Sequence, residues 1–384
     1  MLLKNARLAS GQPVDLLLKD GLIAAMGLDL AADGEEVLDC AGRTVLPAFV
    51  DLHCHWRTPG FEYKEDIAAA GGYTFVNLMP NTKPVCSSAD IAHSVMAEAE
   101  RIGLCAANQT VSITQNFDGC TLDHLKTLPE DLKFITEDGK GVQSGNVMAK
   151  AFAIAAQRGL TIMSHAEDMD ISPWDYRLAE NIETVRNLHL SEYYGTRLHM
   201  CHVSTKEAVE AIGAAKWKGV PVTCEVTPHH LWFADTDYRV NPPIRQPEDV
   251  QALVEAIRTG VVDAIATDHA PHSDEDKANG AAGMIGLETA FGVCYTKLCR
   301  EQGLDLYYLE ALMSRFPAAI LGLAGKGAVQ VGMDADLTLV ELDTPYVVDA
   351  SAMHSRSHNT PFDGVTLYGR VDLTIRGGRV TYRR

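Results

Sequence analysis

Short apolar runs alternate with segments of helical periodicity through the middle of the chain. The apolar runs predict strands at residues 44–53, 73–79, 104–110, 132–136, 160–164, 198–201, 220–224 and 262–267. Apolar positions at helical spacing predict helices between many of these strands, at residues 88–101, 147–158, 206–218 and 247–259. Eight strands in alternation with helices predict an α/β fold, a (β/α)8 barrel of the TIM type.

The two ends of the chain have a different pattern. Residues 1–44 and the last 60 or so residues contain short β-like runs separated by Gly-containing turns. Neither end has enough strands for a stable core of its own. We therefore predict a small β-sandwich domain formed by both termini, with residues 1–44 and 325–384 as its parts and residues 45–324 as the barrel.

Composition narrows the class of protein. The chain has 384 residues, 46% of them hydrophobic and 22% charged, which is ordinary for a soluble enzyme. It contains no apolar run of the roughly 18 residues that a membrane span needs, and its N-terminus lacks a signal-peptide layout. Nine cysteines, an odd number with no Cys-x-x-Cys, indicate reduced thiols and a cytoplasmic location.

Net charge adds a second restriction. A formal charge of −18 argues against nonspecific nucleic-acid binding. It also means that an anionic substrate would need local positive charge, from metal or arginine, to override the overall field of the protein.

The most informative stretch ends the first predicted barrel strand. His53 and His55 are two residues apart, so a strand directs both side chains to one face and Cys54 to the other. Two imidazoles on one face can bind one metal ion. Arg57 continues the same alternation, where it could reach an anionic substrate beside the metal.

Further candidate ligands follow other predicted strands. Barrel enzymes carry their chemistry at the carboxyl ends of the strands, which is where these residues fall. Four histidines and two carboxylates can hold two divalent ions, and nitrogen and oxygen ligands suit zinc, with cobalt and manganese as alternatives. The six candidates are His53, His55, Asp138, His165, His202 and Asp268.

Longer motifs carry a resemblance to a known family. A His-x-His pair marks only a superfamily, whereas Arg57-Thr58-Pro59-Gly60, Pro80-Asn81-Thr82 and Asn241-Pro242-Pro243 are much more specific. On these segments, together with Glu137-Asp138-Gly139, His202-Val203-Ser204-Thr205 and Asp268-His269-Ala270-Pro271-His272, the chain resembles the dihydroorotases of the amidohydrolase superfamily almost end to end. The resemblance is to the bacterial type that uses an aspartate at the metal bridge.

The resemblance implies a site and a reaction. Two zinc ions per subunit are expected, one on His53, His55 and Asp268, the other on His165 and His202. Asp138 would bridge both ions. The expected substrate contacts are Arg57, Asn81 and His272 on a carboxylate and Asn241 on the ring or amide.

The expected activity is the reversible cyclisation of N-carbamoyl-L-aspartate to L-dihydroorotate plus water, the third step of de novo pyrimidine biosynthesis. In the ring-opening direction, metal-activated hydroxide would attack the ring amide, and Asp268 would act as the proton shuttle. The family also implies a homodimer and aspartate transcarbamoylase as a possible partner.

Two alternatives remain open at this point. Related enzymes bridge their metals with a carboxylated lysine on the fourth strand, where this chain has Lys133, although the spacing from Asp138 to His165 favours the aspartate. Glu137 also stands where the family usually has a second aspartate.

The function itself has two competitors: another cyclic amidohydrolase (hydantoinase, dihydropyrimidinase or allantoinase), or a noncatalytic dihydroorotase-like partner of aspartate transcarbamoylase.

Overall fold

The computed structural model describes residues 1–56 and 62–384, and the side chains of residues 1–56 and 66–384. The strands are β1 (Leu2–Arg7), β2 (Pro13–Lys19), β3 (Leu22–Gly27), β4 (Val37–Asp39), β5 (Thr44–Pro47), β6 (Phe49–Cys54), β7 (Tyr73–Leu78), β8 (Ala106–Gln109), β9 (Val111–Ser112), β10 (Phe134–Thr136), β11 (Thr161–Ser164), β12 (Arg197–Met200), β13 (Val222–Val226), β14 (Ala264–Ile265), β15 (Leu337–Glu341), β16 (Tyr346–Val347), β17 (Thr366–Leu367), β18 (Arg370–Arg376) and β19 (Arg379–Arg383).

The α-helices are α1 (Glu62–Ala70), α2 (Ala89–Ile102), α3 (Gly145–Arg158), α4 (Tyr176–Tyr194), α5 (Lys206–Trp217), α6 (Pro228–Trp232), α7 (Pro247–Arg258), α8 (Asp274–Ala278), α9 (Ala290–Cys294), α10 (Leu306–Glu310) and α11 (Phe316–Leu321). Short 3₁₀ turns occur at Gln115–Phe117, Asp123–Thr127 and Ala350–Ala352, and π-helical turns at Tyr295–Glu301 and Ala311–Arg315. None of the helices in the described ranges combines the length and apolar character needed to cross a bilayer.

The four helices named from the sequence are all present, within two residues of their predicted ends. Helix α2 shows why such boundaries can be read from sequence. Ser88 accepts a hydrogen bond from the backbone N–H of Ile91, and Gly103 ends the helix in the left-handed conformation at φ 82°. Ala92 and Ala99 on its inner face are buried.

Strands are also present within all eight predicted barrel segments, and apart from residues 44–47 they pair in parallel. Strands β6, β7 and β8 form one sheet, and β9 to β14 form another in chain order. A parallel bridge between Cys54 and His269 links β6 to the segment after β14. These pairings confirm the mixed, alternating α/β class, whereas the closed (β/α)8 barrel stays a prediction.

The parallel arrangement decides where the polar candidates meet. Parallel strands bring their carboxyl ends to one edge, and open or closed α/β sheets bind ligands there. His53 lies at the end of β6, His165 directly after β11, and Asp138 two residues after β10. Residues distant in sequence therefore converge at one edge.

Both termini contribute to one sheet, as expected. Its strand order is β19-β18-β15-β5-β1-β2-β3, with β4 pairing on β1. Leu3, Leu16, Leu337 and Ile375 lie in its buried core. The pairings join these strands in a single eight-stranded sheet; the sandwich of two facing sheets stays a prediction.

The predicted strand 44–53 is divided between the two sheets. β5 pairs antiparallel with β15 in the terminal sheet, and β6 begins two residues later in the parallel sheet. Residues 45–47, assigned to the barrel from sequence, therefore pair with the terminal strands. A continuous apolar run shows that a segment is buried, but does not show which strands it will pair with.

Candidate metal centre

The His53 and His55 side chains lie together at the end of β6. Their ring centroids are 5.2 Å apart, and both residues are buried. Cys54 between them packs in the main hydrophobic core. The alternation of strand side chains thus produces the arrangement expected from sequence.

Asp138 lies between two groups of histidines. His53 Nε2 is 3.2 Å from Asp138 Oδ1, and His55 Nε2 is 3.5 Å from Oδ2. On the other side, His165 Nδ1 is 3.6 Å and His202 Nε2 is 4.0 Å from Oδ1. Two sets of potential ligands, His53/His55/Asp138 and Asp138/His165/His202, therefore share one carboxylate.

Asp268 completes the group from the far side. Its Oδ1 lies 3.0 Å from His55 Nε2 and 3.6 Å from His53 Nε2. The backbone of Asp268 has a positive φ of 47°, a conformation uncommon for residues other than glycine and often found at functional sites. Asp51 fixes the preceding residue by accepting hydrogen bonds from the Thr267 N–H and hydroxyl at 2.9 and 2.5 Å.

Two atoms in this cluster fit a bound cation. His53 Nε2 and Asp138 Oδ1 are buried, and although they lie 3.2 Å apart, neither makes a well-aligned hydrogen bond. A buried polar atom without a partner costs free energy, which coordination to a metal would offset. Histidine nitrogens and carboxylate oxygens are donors that zinc and similar divalent ions accept.

The charge on Asp138 also suits a ligand. Burial alone would raise the pKa of this carboxyl group, but His53, His55 and His165 around it lower the pKa well below its usual range. The group is therefore ionised, as a metal-binding carboxylate must be. Lys133, the alternative bridging residue, is exposed immediately before β10, whereas Asp138 is buried among the histidines.

Three histidines around Asp138 each have one ring nitrogen close to the Asp138 carboxylate. The other ring nitrogen of each makes a hydrogen bond to a neighbouring acceptor, which orients the ring. His53 Nδ1 donates to Glu225 at 3.0 Å, and His165 Nε2 donates to Glu167 at 3.1 Å. His55 Nδ1 donates to the Asn81 side-chain oxygen at 2.9 Å. Such partners fix the tautomer and direction of a ligand imidazole.

Glu225 is shared by two histidines. Its second oxygen accepts from His199 Nε2 at 2.9 Å, and His199 in turn contacts Thr223. Burial would raise the pKa of Glu225, but the hydrogen bonds from His199 and His53 outweigh it and lower the pKa to about 2. A charged carboxylate therefore lies directly behind His53.

Comparison with known proteins identifies the family. The amidohydrolase family model matches residues 44–381. A dihydroorotase of Clostridium botulinum is 46% identical over 397 residues, covering 100% of both chains, and one of Acetivibrio thermocellus is 36% identical, covering 96% of this chain and 95% of that one.

The chain belongs to the amidohydrolase family. Within it, the chain belongs with the dihydroorotases, which are its full-length relatives. Among solved structures, an L-hydantoinase from Arthrobacter aurescens matches with a TM-score of 0.87 at 28% identity, covering 99% of this chain and 95% of that one. A dihydropyrimidinase from Brevibacillus agri has a TM-score of 0.87 at 22% identity, covering 100% and 95%, and supports the fold alone.

The substrate-contact candidates of this amidohydrolase lie in different places. Asn81 is in the metal centre, where its amide nitrogen donates to Asp138 at 3.2 Å. Asn241 donates to Glu167 at 3.1 Å, beside His165. His272 is half-buried in the loop after β14, with its backbone N–H donating to Asn359 at 3.3 Å. Arg57 lies outside the described residues.

The sequence also contained signals that the interpretation missed. Glu225 is a charged residue within the apolar strand β13, and a buried carboxylate in such a strand requires a partner. Glu167 follows His165 by two residues, and its role depends on a contact that spacing alone does not reveal. Cys201 packs beside Met79 and Met163. It also lies close enough to His53 and Glu225 to form a third possible ligand group.

Proposed function

We propose that this protein is a dihydroorotase that interconverts N-carbamoyl-L-aspartate and L-dihydroorotate plus water, the third step of pyrimidine biosynthesis. Full-length relatives of that name support the assignment. The observation that carries it is the buried cluster in which Asp138 is shared by two sets of ligands. This arrangement supports a bridging aspartate over a bridging Lys133.

The proposed active site lies on a closed (β/α)8 barrel and holds two zinc ions. His53, His55 and Asp268 would bind one ion, His165 and His202 the other, and Asp138 both. When bound, such a pair lowers the pKa of water toward neutrality and polarises an amide carbonyl. The buried His53 Nε2 and Asp138 Oδ1 atoms, which make no well-aligned hydrogen bond, support this assignment.

Asp268 is the proposed proton shuttle. In ring opening, it accepts a proton from the attacking water and delivers it to the ring nitrogen as the C–N bond breaks. In cyclisation, the same carboxylate removes a proton from the ureido nitrogen as the C–N bond forms and returns it to the departing carboxyl oxygen, which takes a second proton from solvent and leaves as water. Its contacts with His53 and His55, two of the proposed metal ligands, support this role.

Substrate orientation would come from groups around the metals. Arg57, Asn81 and His272 are the proposed carboxylate contacts, since a planar guanidinium and N–H donors match that anion. Asn241 would contact the ring or amide portion. Positive charge from the metals and Arg57 would offset the repulsion between an anionic substrate and a chain of net charge −18.

The wider assignments follow the same family reasoning. We propose a homodimer in the cytoplasm, with aspartate transcarbamoylase as a candidate partner. The similarity to a solved L-hydantoinase favours a second candidate function, the hydrolysis of an uncharged cyclic amide.

Turnover of L-dihydroorotate by the purified chain tests the proposal, with and without added zinc and alongside hydantoin and dihydrouracil. We expect metal-dependent opening of dihydroorotate alone. Activity restricted to the two uncharged rings would establish the second candidate instead. A metal content near zero together with no turnover of any ring would indicate a noncatalytic relative.

A further inference from the structure

Two loops that carry proposed substrate contacts meet at one ammonium group. We define the His272 loop as residues 270–284 and the Asn241 loop as residues 233–246. Lys277, on the short helix α8, donates to the carbonyl oxygens of Ala281 and Gly283 at 2.9 Å each, within its own loop. Its third donor reaches the Arg239 carbonyl of the Asn241 loop at 3.0 Å.

A second hydrogen bond joins the same two loops next to the Lys277 contact. The Gly283 N–H donates to the same Arg239 carbonyl at 3.1 Å. The Lys277 ammonium also lies 4.6 Å from the centre of the Tyr238 ring, a cation–π distance. Lys277 therefore contacts the chain three residues before Asn241, through Tyr238, and two residues before it, through Arg239.

The other end of this connection is His272. Asn359 donates to the Ala270 and Gly283 carbonyls at 3.1 and 3.2 Å, and its side-chain oxygen accepts from the His272 N–H. Gly283 thus receives a bond from Lys277 and one from Asn359. A chain of hydrogen bonds connects the backbone of His272 to the backbone next to Asn241.

We propose that Lys277 is a positioning residue that holds the His272 and Asn241 loops in a single arrangement, and thereby fixes two substrate contacts relative to each other. The inference rests on the proposed function for the identity of the substrate. A lysine suits the position because its three N–H donors match three carbonyl oxygens. Lys277 bonds to the carbonyls of three different residues, none of them among the proposed metal ligands, so its removal should leave metal binding intact.

The physical consequence concerns binding more than chemistry. Substrate-orienting groups that are fixed before binding avoid an ordering cost when the ligand arrives. Without Lys277, each loop can sample other arrangements, and the substrate must order them again. The expected effect is therefore on KM, with a smaller effect on kcat.

The test uses the full-length, zinc-loaded protein with Lys277→Met, which keeps most of the side-chain stem but removes the ammonium. Lys277→Gln, which retains two N–H donors, is the milder variant. Glu275→Gln on the exposed part of the same helix is the matched control. Hydrogen–deuterium exchange is measured for the two loops, together with bound zinc, melting temperature and steady-state kinetics on L-dihydroorotate.

In Lys277→Met, we expect faster exchange in both loops and a KM raised by about tenfold, equivalent to about 1.4 kcal/mol. A change in kcat of less than about threefold and unchanged zinc content complete the expectation. Lys277→Gln should lie between wild type and Lys277→Met, and the control should match wild type.

Three results would overturn the inference. The first is faster exchange in the His272 loop alone, because the loops would then not be coupled through Lys277. The second is an unchanged KM despite faster exchange in both loops, and the third is loss of zinc or of the fold in both variants. If wild type does not act on dihydroorotate, the proposed function fails, whereas the exchange measurement still decides whether Lys277 couples the loops.

Discussion

At the scale of one residue, Asp268 is proposed both to bind the metal and to carry the proton, and the variant Asp268→Asn separates the two roles. The amide keeps the size and an oxygen donor but cannot accept and return a proton at neutral pH. We expect zinc to be retained while kcat falls at least about 100-fold, within the usual range for loss of general acid–base catalysis. Metal analysis and steady-state assay on the same preparation measure both effects. A variant with near-normal turnover would remove Asp268 from proton transfer.

Glu225 lies behind His53, one hydrogen bond further from the proposed metal. Glu225→Gln preserves an oxygen acceptor for His53 but removes the negative charge behind the imidazole. We expect zinc affinity to fall about 10–100-fold, as is typical for loss of a partner of a ligand histidine. Chelator competition measures the affinity, and Glu310→Gln, the same change at a buried carboxyl group on α10, is the control. Equal affinity in wild type and Glu225→Gln would show that the charge does not contribute.

At this scale, the sequence indicated the potential ligands better than their supports. Strand alternation placed His53 and His55 together, and strand ends placed Asp138, His165, His202 and Asp268. The bonds from Glu225 and Glu167 depend on side chains of separate strands and loops meeting in space. Local periodicity contains no information on such pairings, so a buried carboxylate in a strand signals only that some partner exists.

At the scale of an element, α10 carries a carboxyl group whose burial has a pH-dependent cost. Burial raises the pKa of Glu310 from 4.5 to about 7, with Arg315 opposing the change. The unfolded chain therefore loses this proton at lower pH than the folded one, and stability falls as pH rises from 4.5 toward 7. Glu310→Gln does not titrate, and we expect it to be more stable than wild type by about 1–3 kcal/mol at pH 8.

Denaturant unfolding at two pH values measures this difference. At pH 5 the advantage of Glu310→Gln should shrink to less than about 1 kcal/mol, because wild type then retains most of its proton in the folded state. Glu255→Gln, on the exposed side of α7, should leave the unfolding free energy unchanged at both pH values. An equal stabilisation at pH 5 and pH 8 would mean that packing, not ionisation, explains the effect.

Elements differed in how well their limits could be predicted. Helix α2 was located closely because its ends are set by local chemistry, the Ser88 side chain and the Gly103 conformation. The division between β5 and β6 was not predicted, because residues 44–53 are uniformly buried. The choice between two sheets is made by strands far away in sequence, β15 for one half and β7 for the other.

At the scale of the whole molecule, the terminal sheet is connected to the catalytic part by specific contacts. The Thr374 hydroxyl donates to the Ala69 carbonyl at 2.6 Å, and the Ser314 hydroxyl donates to the Pro47 carbonyl at 3.1 Å. Arg376 pairs with Glu100 on α2. We infer that the two parts unfold together, and a substitution in the terminal sheet can test this.

Ile375→Ala is the informative change, because Ile375 is fully buried between β15 and β19. Loss of its side-chain atoms should lower the free energy of unfolding by about 2–4 kcal/mol. All four tryptophans, Trp56, Trp174, Trp217 and Trp232, lie outside the terminal strands, so their fluorescence reports on the catalytic part alone. If the molecule is one cooperative unit, fluorescence and far-UV circular dichroism should shift to the same lower denaturant midpoint. A fluorescence midpoint that stays at the wild-type value, with an earlier transition in circular dichroism, would mean that the terminal sheet unfolds independently and that the contacts at Ala69, Pro47 and Glu100 do not couple it to the metal centre.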